Sequence, residues 1–402
     1  MPQICFYFQL HQPYRLGNFN VFDLENDTDY FSGDNEEIFK KVSRKSYRPM
    51  LTLLLDLIKR HPEFKFALSC SGVFIEQSLE FEPHIIELIQ KLVKTGRVEI
   101  LAETYYHSLA SLYSEKEFEL QVKQHGAVVK ELFDYEPTVF RNTELIYSNY
   151  VAYQVEKLGY KGILTEAVDR YLHGRDRTKS YLSNTDKPLP LMLKHAPLSD
   201  DIAFRFSDKN WPEHPLTVDK YIKWVEIYPE DHSVNLFMDF ETFGEHQWED
   251  TGIFLFFEKF IEEFSKKSYN KFVTPGEEVS KLDLTYLDKY DVPDPISWAD
   301  VDRDLTAWVD NDLQQDCINK IYELEPLVLK INNKELTDQW RRLQTSDNFY
   351  YMCTKWSNDG DVHSYFSPFD SPLEAYRRYS IVLADLVIKI DKENQPQQKV
   401  DN

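Results

Sequence analysis

Glycine is scarce, at 12 of 402 residues, and no G-x-G-x-x-G or G-x-x-x-x-G-K run occurs. Loops that cradle phosphate need such glycines, so a nucleotide-dependent reaction is not the first reading. The G-x-S-x-G elbow of serine hydrolases is missing too. Cysteine is equally sparse. Cys5, Cys70, Cys317 and Cys353 are scattered, without C-x-x-C, and supply neither a disulfide framework nor a thiolate metal site. Cys5 and Cys70 lie in apolar strand patterns and read as small buried hydrophobes. Positive charge is in deficit: 46 Lys and Arg against 68 Asp and Glu give a net charge of −22. With no basic stripe to neutralise phosphates, neither nucleic acid nor an anionic membrane is an expected partner. No run of about 18 apolar residues occurs, so no membrane span is expected. The chain opens directly on a strand pattern, Gln3 to Phe8, with no basic leader before an apolar stretch. The expected address is therefore cytoplasmic.

What is present is a globular composition, 42% apolar and 15% aromatic, including 25 Tyr, 27 Phe and 7 Trp. Such a surplus of rings fills a core and leaves some to stack on flat apolar sugar faces or to serve an interface. Strand-like runs at 4–10, 64–69, 97–102, 138–142, 161–165, 202–206 and 234–240 alternate with helical patterns near 36–60, 75–95, 115–133, 148–158 and 218–226. Regular alternation of this kind implies parallel strands joined by helical crossovers. Seven strands in this rhythm suggest an α/β fold of the (β/α)7 type, a distorted TIM-like barrel, over residues 1–290. Past residue 250 helical patterns dominate, at 253–267, 312–331, 334–344 and 372–391. A Pro-rich stretch near 291–295 marks the passage into a C-terminal α-helical domain, 291–402. The last dozen residues are polar and expected to fray.

In such a barrel, chemistry collects at strand C-termini. His11 and Gln12 follow the first strand, Ser69, Ser71 and Glu76 the second, and Glu103 and His107 the third. Glu144 ends the fourth, Glu166 ends the fifth, Arg205 falls on the sixth, and Asp239 and Glu241 close the seventh. His11, His107 and His246 lie at strand ends, but none belongs to an H-x-x-x-H or H-E-x-x-H pair, so no metal and no cofactor is expected. That leaves carboxylates. Glu144 and Asp239 each close an apolar run, where a charge is costly unless it is paired or used. Two such acids in opposite protonation states suit glycoside hydrolysis. Glu241 shares a strand face with Asp239, and local sequence does not rank the two as proton donor. A neighbouring carboxylate of this kind raises the pKa of an acid by like-charge repulsion.

At this point the motifs resemble a known family. The opening run through His11-Gln12-Pro13 resembles the His-Gln-Pro motif of glycoside hydrolase family 57, and Ser71 to Gln77 resembles its second motif. Phe140-Arg141-Asn142-Thr143-Glu144-Leu145 is similar to the nucleophile motif, and Met238-Asp239-Phe240-Glu241-Thr242-Phe243-Gly244 to the acid/base motif. Leu343 to Asp347 resembles the last motif, which the family usually continues with His where this chain has Asn348. The resemblance spans residue 4 to about 385, with the five motifs in family order. It implies a seven-stranded barrel with a helical domain contributing to the active-site cleft, and retaining chemistry on α-glucans without a metal. Glu144 is the implied nucleophile and Asp239 the implied general acid. His11, Glu76, His107, Glu241, His246 and Asp347 are implied to hold substrate hydroxyls, with Trp248 and Trp298 stacking on sugars. The segment Ile296 to Asp300 looks most like α-amylase members, and the chain is shorter than expected of branching enzymes. The implied reaction is hydrolysis of α-1,4-glucans or maltooligosaccharides. Transfer by a 4-α-glucanotransferase with the same pair stays open, as do a metal-dependent polysaccharide deacetylase and a non-catalytic glycan-binding protein. Nothing in the sequence speaks to oligomeric state.

Overall fold

In β1 (Gln3–Leu10) the two-residue period sends side chains to two cores. Ile4, Phe6, Phe8 and Leu10 enter one apolar cluster, while Cys5 and Tyr7 enter another. The computed structural model describes residues 3–26, 28–355 and 367–394. The expected fraying of the last residues falls largely outside these.

The remaining strands are β2 (Phe66–Cys70), β3 (Val98–Ile100), β4 (Val139–Arg141), β5 (Gly162–Glu166), β6 (Tyr181–Ser183), β7 (Pro190–Lys194), β8 (Ser233–Asp239), β9 (Lys271–Phe272) and β10 (Lys289–Tyr290). One sheet runs β3-β2-β1-β8 with β9 beside β1, and the other runs β10-β6-β7-β5-β4. All pairings are parallel except that of β6 with β7. The α/β class with parallel sheets is therefore present, but the described strands form no closed barrel. Between β3 and β4 the pairing shrinks to one bridge, Ala102 with Phe140, two residues beyond the end of β3. Between β7 and β8 no ladder is recorded. There the His195 amide donates to the Asn235 carbonyl at 2.8 Å, and the Asn235 side-chain amide takes the Leu193 carbonyl at 2.9 Å. Both sheets nonetheless pack inward on one cluster that includes Tyr7, Ala67, Val139, Leu164, Met192 and Phe237.

The expected strand at 202–206 is a correction. Ile202 and Phe206 are buried while Phe204 is 57% exposed, and the segment closes the helix Ala196–Ala203. The apparent alternation straddles the helix end, with Ile202 in the last helical turn and Phe206 buried in the turn after it. Arg205 accordingly reaches no strand end: its Nε donates to Asp201 at 2.7 Å and its Nη2 to the Pro197 carbonyl at 2.7 Å. The true strand, β7, begins on Pro190, a residue that sheets accept at a first position.

Compact packing divides the chain into two units. The first holds residues up to Gln12, Glu36–Tyr105 and Lys116–Trp298; the second holds Pro13–Asn35, Tyr106–Glu115 and the described residues from Ala299 onward. In the first, the outer face of β1 meets an aromatic cluster. Phe6, Phe64, Phe257 and Phe272 lie with centroids 5.0–6.4 Å apart, and each buried ring contributes roughly 1.5–3 kcal/mol. Much of the phenylalanine surplus is therefore core. The second unit is helical, with Asp312–Glu323, Glu325–Ile331, Lys334–Arg342 and Pro372–Asn394 around Trp340, whose Nε1 donates to the Ile321 carbonyl at 2.7 Å. Asp385, fully buried on the last of these helices, accepts from the Tyr30 hydroxyl and the Glu25 amide, each at 2.6 Å.

Gly244 makes one backbone approach possible. Its φ is +105°, and a Cβ there would lie 2.0 Å from the Lys45 carbonyl oxygen. Lys45 belongs to a π-helical turn, Ser43–Tyr47, between the helices Asn35–Val42 and Arg48–Arg60. We expect Gly244→Ala to destabilise the fold by about 3 kcal/mol or more, read by urea denaturation.

Candidate active site

Parallel register brings the strand ends to one edge. Gln9 pairs with Ser69 on one side and with Asp239 on the other, so His11, Ser71 and Glu241 all leave the same side of the sheet. The bridge of Ala102 to Phe140 carries this alignment towards β4, and the Thr104 and Thr143 hydroxyls bond at 2.8 Å.

Residues after β1 and β2 hold one another. His11 Nδ1 and Ser71 Oγ lie 2.7 Å apart, and Ser71 also caps the helix Gly72–Phe81 by accepting the Phe74 amide. Gln77 Nε2 donates to the Gln12 carbonyl at 2.8 Å. Glu76 accepts from the Tyr105 hydroxyl at 2.9 Å. Gly72 is required there, because a Cβ would lie 2.3 Å from the Tyr105 ring. Glu166 ends β5 and Glu103 follows β3 as expected, while Ser69 lies within β2, and all three are fully buried. Glu103 accepts from Ser69 and, at 3.2 Å, from Gln9, while Glu166 lies 3.8 Å from Lys194.

Glu144 sits on a strained turn. It has φ 56° and ψ 25°, and Leu145 follows with φ 51°. Two successive non-glycine residues in the left-handed region cost about 1–3 kcal/mol each and persist only where the surroundings fix them. Here Asn142 Nδ2 donates to the Ile146 carbonyl at 3.0 Å, and Tyr147 pairs with Ile296. The Trp298 amide donates to the Glu144 carbonyl at 3.1 Å and its Nε1 to Glu144 Oε2 at 2.7 Å. A carboxylate bonded to an indole N–H is favoured in its ionised, accepting form.

Asp239 and Glu241 differ sharply. Asp239 is partly exposed at the end of β8, whereas Glu241 is buried. Glu241 accepts from the Tyr47 hydroxyl and, at 3.5 Å, from Gln12 Nε2. The π-helical turn ends on Tyr47, and such one-residue insertions re-aim side chains at functional positions. Burial, and then the charge of Asp239, push the Glu241 carboxyl up to about 8. The repulsion anticipated from Glu241 onto Asp239 is seen at Glu241, the more buried partner. Glu99, buried away from this edge against Gly276, is likewise raised to about 7, mainly by burial. Both carboxyls keep their protons when folded at pH values where the unfolded chain, titrating near about 4.3, has lost them. Stability present below that pH therefore falls as pH rises towards 7 and 8, by about 1.4 kcal/mol per unit for each proton. Glu241→Gln should remove one such slope between about pH 5 and 7, measured by denaturant unfolding across a pH series.

His246 is partly exposed; packing around its ring lowers the imidazole to about 4, so it is neutral near pH 7. Trp248 is 53% exposed, with Lys45 Nζ 5.7 Å from its ring centre. The Trp298 ring, expected to face sugar, has the Arg141 guanidinium at 5.0 Å and Lys194 Nζ at 5.2 Å from its centre. His107 and Asp347 both belong to the second unit. The Ser346 amide donates to the His107 carbonyl at 2.9 Å, and Thr345 Oγ1 to the Tyr106 carbonyl at 2.9 Å. Asp347 hydrogen-bonds the Tyr351 hydroxyl, which also meets Arg15. Asn348, at the position where a His was expected, is buried and donates to the Leu343 carbonyl at 3.3 Å, closing the helix before it. Among the described residues no group of three or more His, Cys, Asp or Glu is placed to hold a metal ion, and no helix is long and apolar enough to cross a membrane.

Residues 5–293 match the family described as Glycosyl hydrolase family 57. The chain belongs to that family. It is 40% identical over 401 residues to a protein of Methanocaldococcus jannaschii named "Putative alpha-amylase", covering 95% of this chain and 83% of that one. Among solved structures, a family 57 branching enzyme from Pyrococcus horikoshii superposes with TM-score 0.70 at 14% identity, over 96% of both chains. The 4-alpha-glucanotransferase of Thermococcus litoralis superposes with TM-score 0.63 at 16% identity, over 87% of this chain and 56% of that one. At these identities the structures speak to fold alone. They do correct one expectation, because a branching enzyme of matching length removes chain length as a ground for setting that branch aside. The Trp298–Glu144 hydrogen bond and the Tyr47 contact escaped sequence reading, since 154 and 194 residues separate the partners.

Proposed function

We propose that this family 57 glycoside hydrolase cleaves α-1,4-glucans with retention, as an α-amylase. The observation that carries the reading is the contrast between its two acid positions. Glu144 accepts an indole N–H and is suited to the ionised state, while Asp239 and the buried Glu241 are electrostatically coupled. A coupled pair of this kind shares its protons, so Asp239 can draw on the proton that the raised Glu241 holds, beside a carboxylate nucleophile. Glu144 attacks the anomeric carbon as the glycosidic C–O bond breaks, and Asp239 gives its proton to the departing oxygen. A β-glycosyl ester on Glu144 results. Asp239 then removes a proton from water, whose oxygen attacks the anomeric carbon and frees Glu144. His11, Glu76 and His246 are assigned to sugar hydroxyls and Trp248 to a sugar face. His107 and Asp347 are assigned to hydroxyls on motif resemblance alone.

Retention requires the Glu144 and Asp239 carboxyls to lie roughly 5–6 Å apart, whereas inversion leaves room for water at about 6.5–9.5 Å. Digestion of maltoheptaose followed by NMR of the first-formed anomer and sizing of the products tests the reading. α-Anomeric products shorter than the substrate are expected. A ladder above seven glucose units would assign the chain to glucanotransfer, for which the named relatives give precedent. First-formed β-anomers would overturn retention.

A further inference from the structure

The least explained charge in the first unit is Arg141. It is fully buried on β4, and its Nε, Nη1 and Nη2 make no hydrogen bond among the described residues. A buried guanidinium without hydrogen bonds costs several kcal/mol unless something offsets it. What surrounds it is aromatic: the Tyr7 ring at 5.8 Å and the Trp298 ring at 5.0 Å. Lys194, buried at the end of β7 and facing Glu166 at 3.8 Å and Asp200 at 3.3 Å, places a second cation 5.2 Å from the same indole. Tyr7 itself lies within electrostatic reach of Arg141, Glu103 and Asp239. Trp298 is thus attended by two cations while its N–H meets one carboxylate, Glu144.

A cation against an aromatic ring draws on its π electrons, which leaves the indole N–H more positive and a better donor. The bond it strengthens is made to a residue held in a strained conformation. We propose that Trp298 is a positioning residue for the nucleophile, clamping Glu144 through its backbone and indole N–H groups, with Arg141 and Lys194 polarising the ring. This assigns Trp298 to the carboxylate rather than to a sugar face, and it rests on Glu144 being the nucleophile.

Trp298→Phe keeps a ring and removes the N–H. Losing a hydrogen bond to a charged group, and with it the aim of the attacking oxygen, should lower kcat about 10- to 100-fold with KM little changed. The loss should be similar for maltoheptaose and for 4-nitrophenyl α-maltosides, since both substrates need the same attack by Glu144 and the substitution leaves the proton donor in place. Because the N–H favours the ionised carboxylate, the acidic limb of kcat/KM should move to higher pH, and Arg141→Met should move it the same way. A raised KM with kcat and the limb unmoved would return Trp298 to sugar stacking and overturn the proposal. Should Trp298→Phe fail to fold, the native chain carrying 15N-labelled tryptophan decides. One indole N–H signal should titrate with the acidic limb and lose that titration in Glu144→Gln; if none does, the clamp is refuted. The nucleophile reading fails separately, if Glu144→Ala in azide yields no glycosyl azide of inverted configuration.

Discussion

Glu144→Ala should abolish turnover of every α-glucan, a loss on the order of 10⁴-fold or more, because no ester with the anomeric carbon can form. Removing the side chain also opens a small space beside that carbon. Azide entering there attacks from the face the carboxylate would have used, and an α-linked substrate should release a β-glycosyl azide. Asp239 remains to protonate the leaving oxygen, so this rescue needs no activated substrate. The measurement is product identification by NMR in the presence of azide. Recovery of an α-azide, or full activity without azide, would remove Glu144 from the nucleophile's role.

Asp239→Ala should act on a different bond. Natural glucans leave as poor alkoxides and need a proton, so their cleavage should fall about 10²- to 10⁴-fold, the usual reach of general acid catalysis. 4-Nitrophenol departs without one, so an aryl α-maltoside should lose far less in its first step. The glycosyl ester then accumulates for want of a base, a burst of nitrophenol appears, and azide should accelerate turnover to the α-azide with configuration kept. Glu241→Gln serves as the contrast. Its carboxyl is buried against Tyr47 and Gln12, so its replacement should alter the pH profile without creating a leaving-group dependence. If Glu241→Gln showed the burst and Asp239→Ala did not, the two roles would be exchanged.

Both experiments turn on residues that could be named from the sequence. The apolar runs before Glu144 and Asp239 made each a charge near a strand end, and parallel register aligns the ends of β1, β2 and β8. Local periodicity located most helices for the same reason: a 3.6-residue stripe is written in neighbouring residues. It failed at 202–206, where two apolar positions four apart imitate a strand, and at β7, which is short and starts on proline. The continuous barrel was beyond it as well. Whether neighbouring strands complete a ladder depends on strand length and on side chains such as Asn235 competing for carbonyls, which are properties of pairs.

The electrostatic character of the site was likewise decided in three dimensions. Sequence put Asp239 and Glu241 on one face, but burial, joined by the charge of Asp239, made Glu241 a group raised to about 8. Sequence offered Trp298 as one more aromatic residue. The fold set its N–H on Glu144 and drew Arg141 and Lys194 to its ring across three separate segments. Residue type and spacing determine which groups are available for acid, base and nucleophile. Desolvation and charge depend on every neighbour within a few ångströms, and those neighbours are assembled only when distant strands pack.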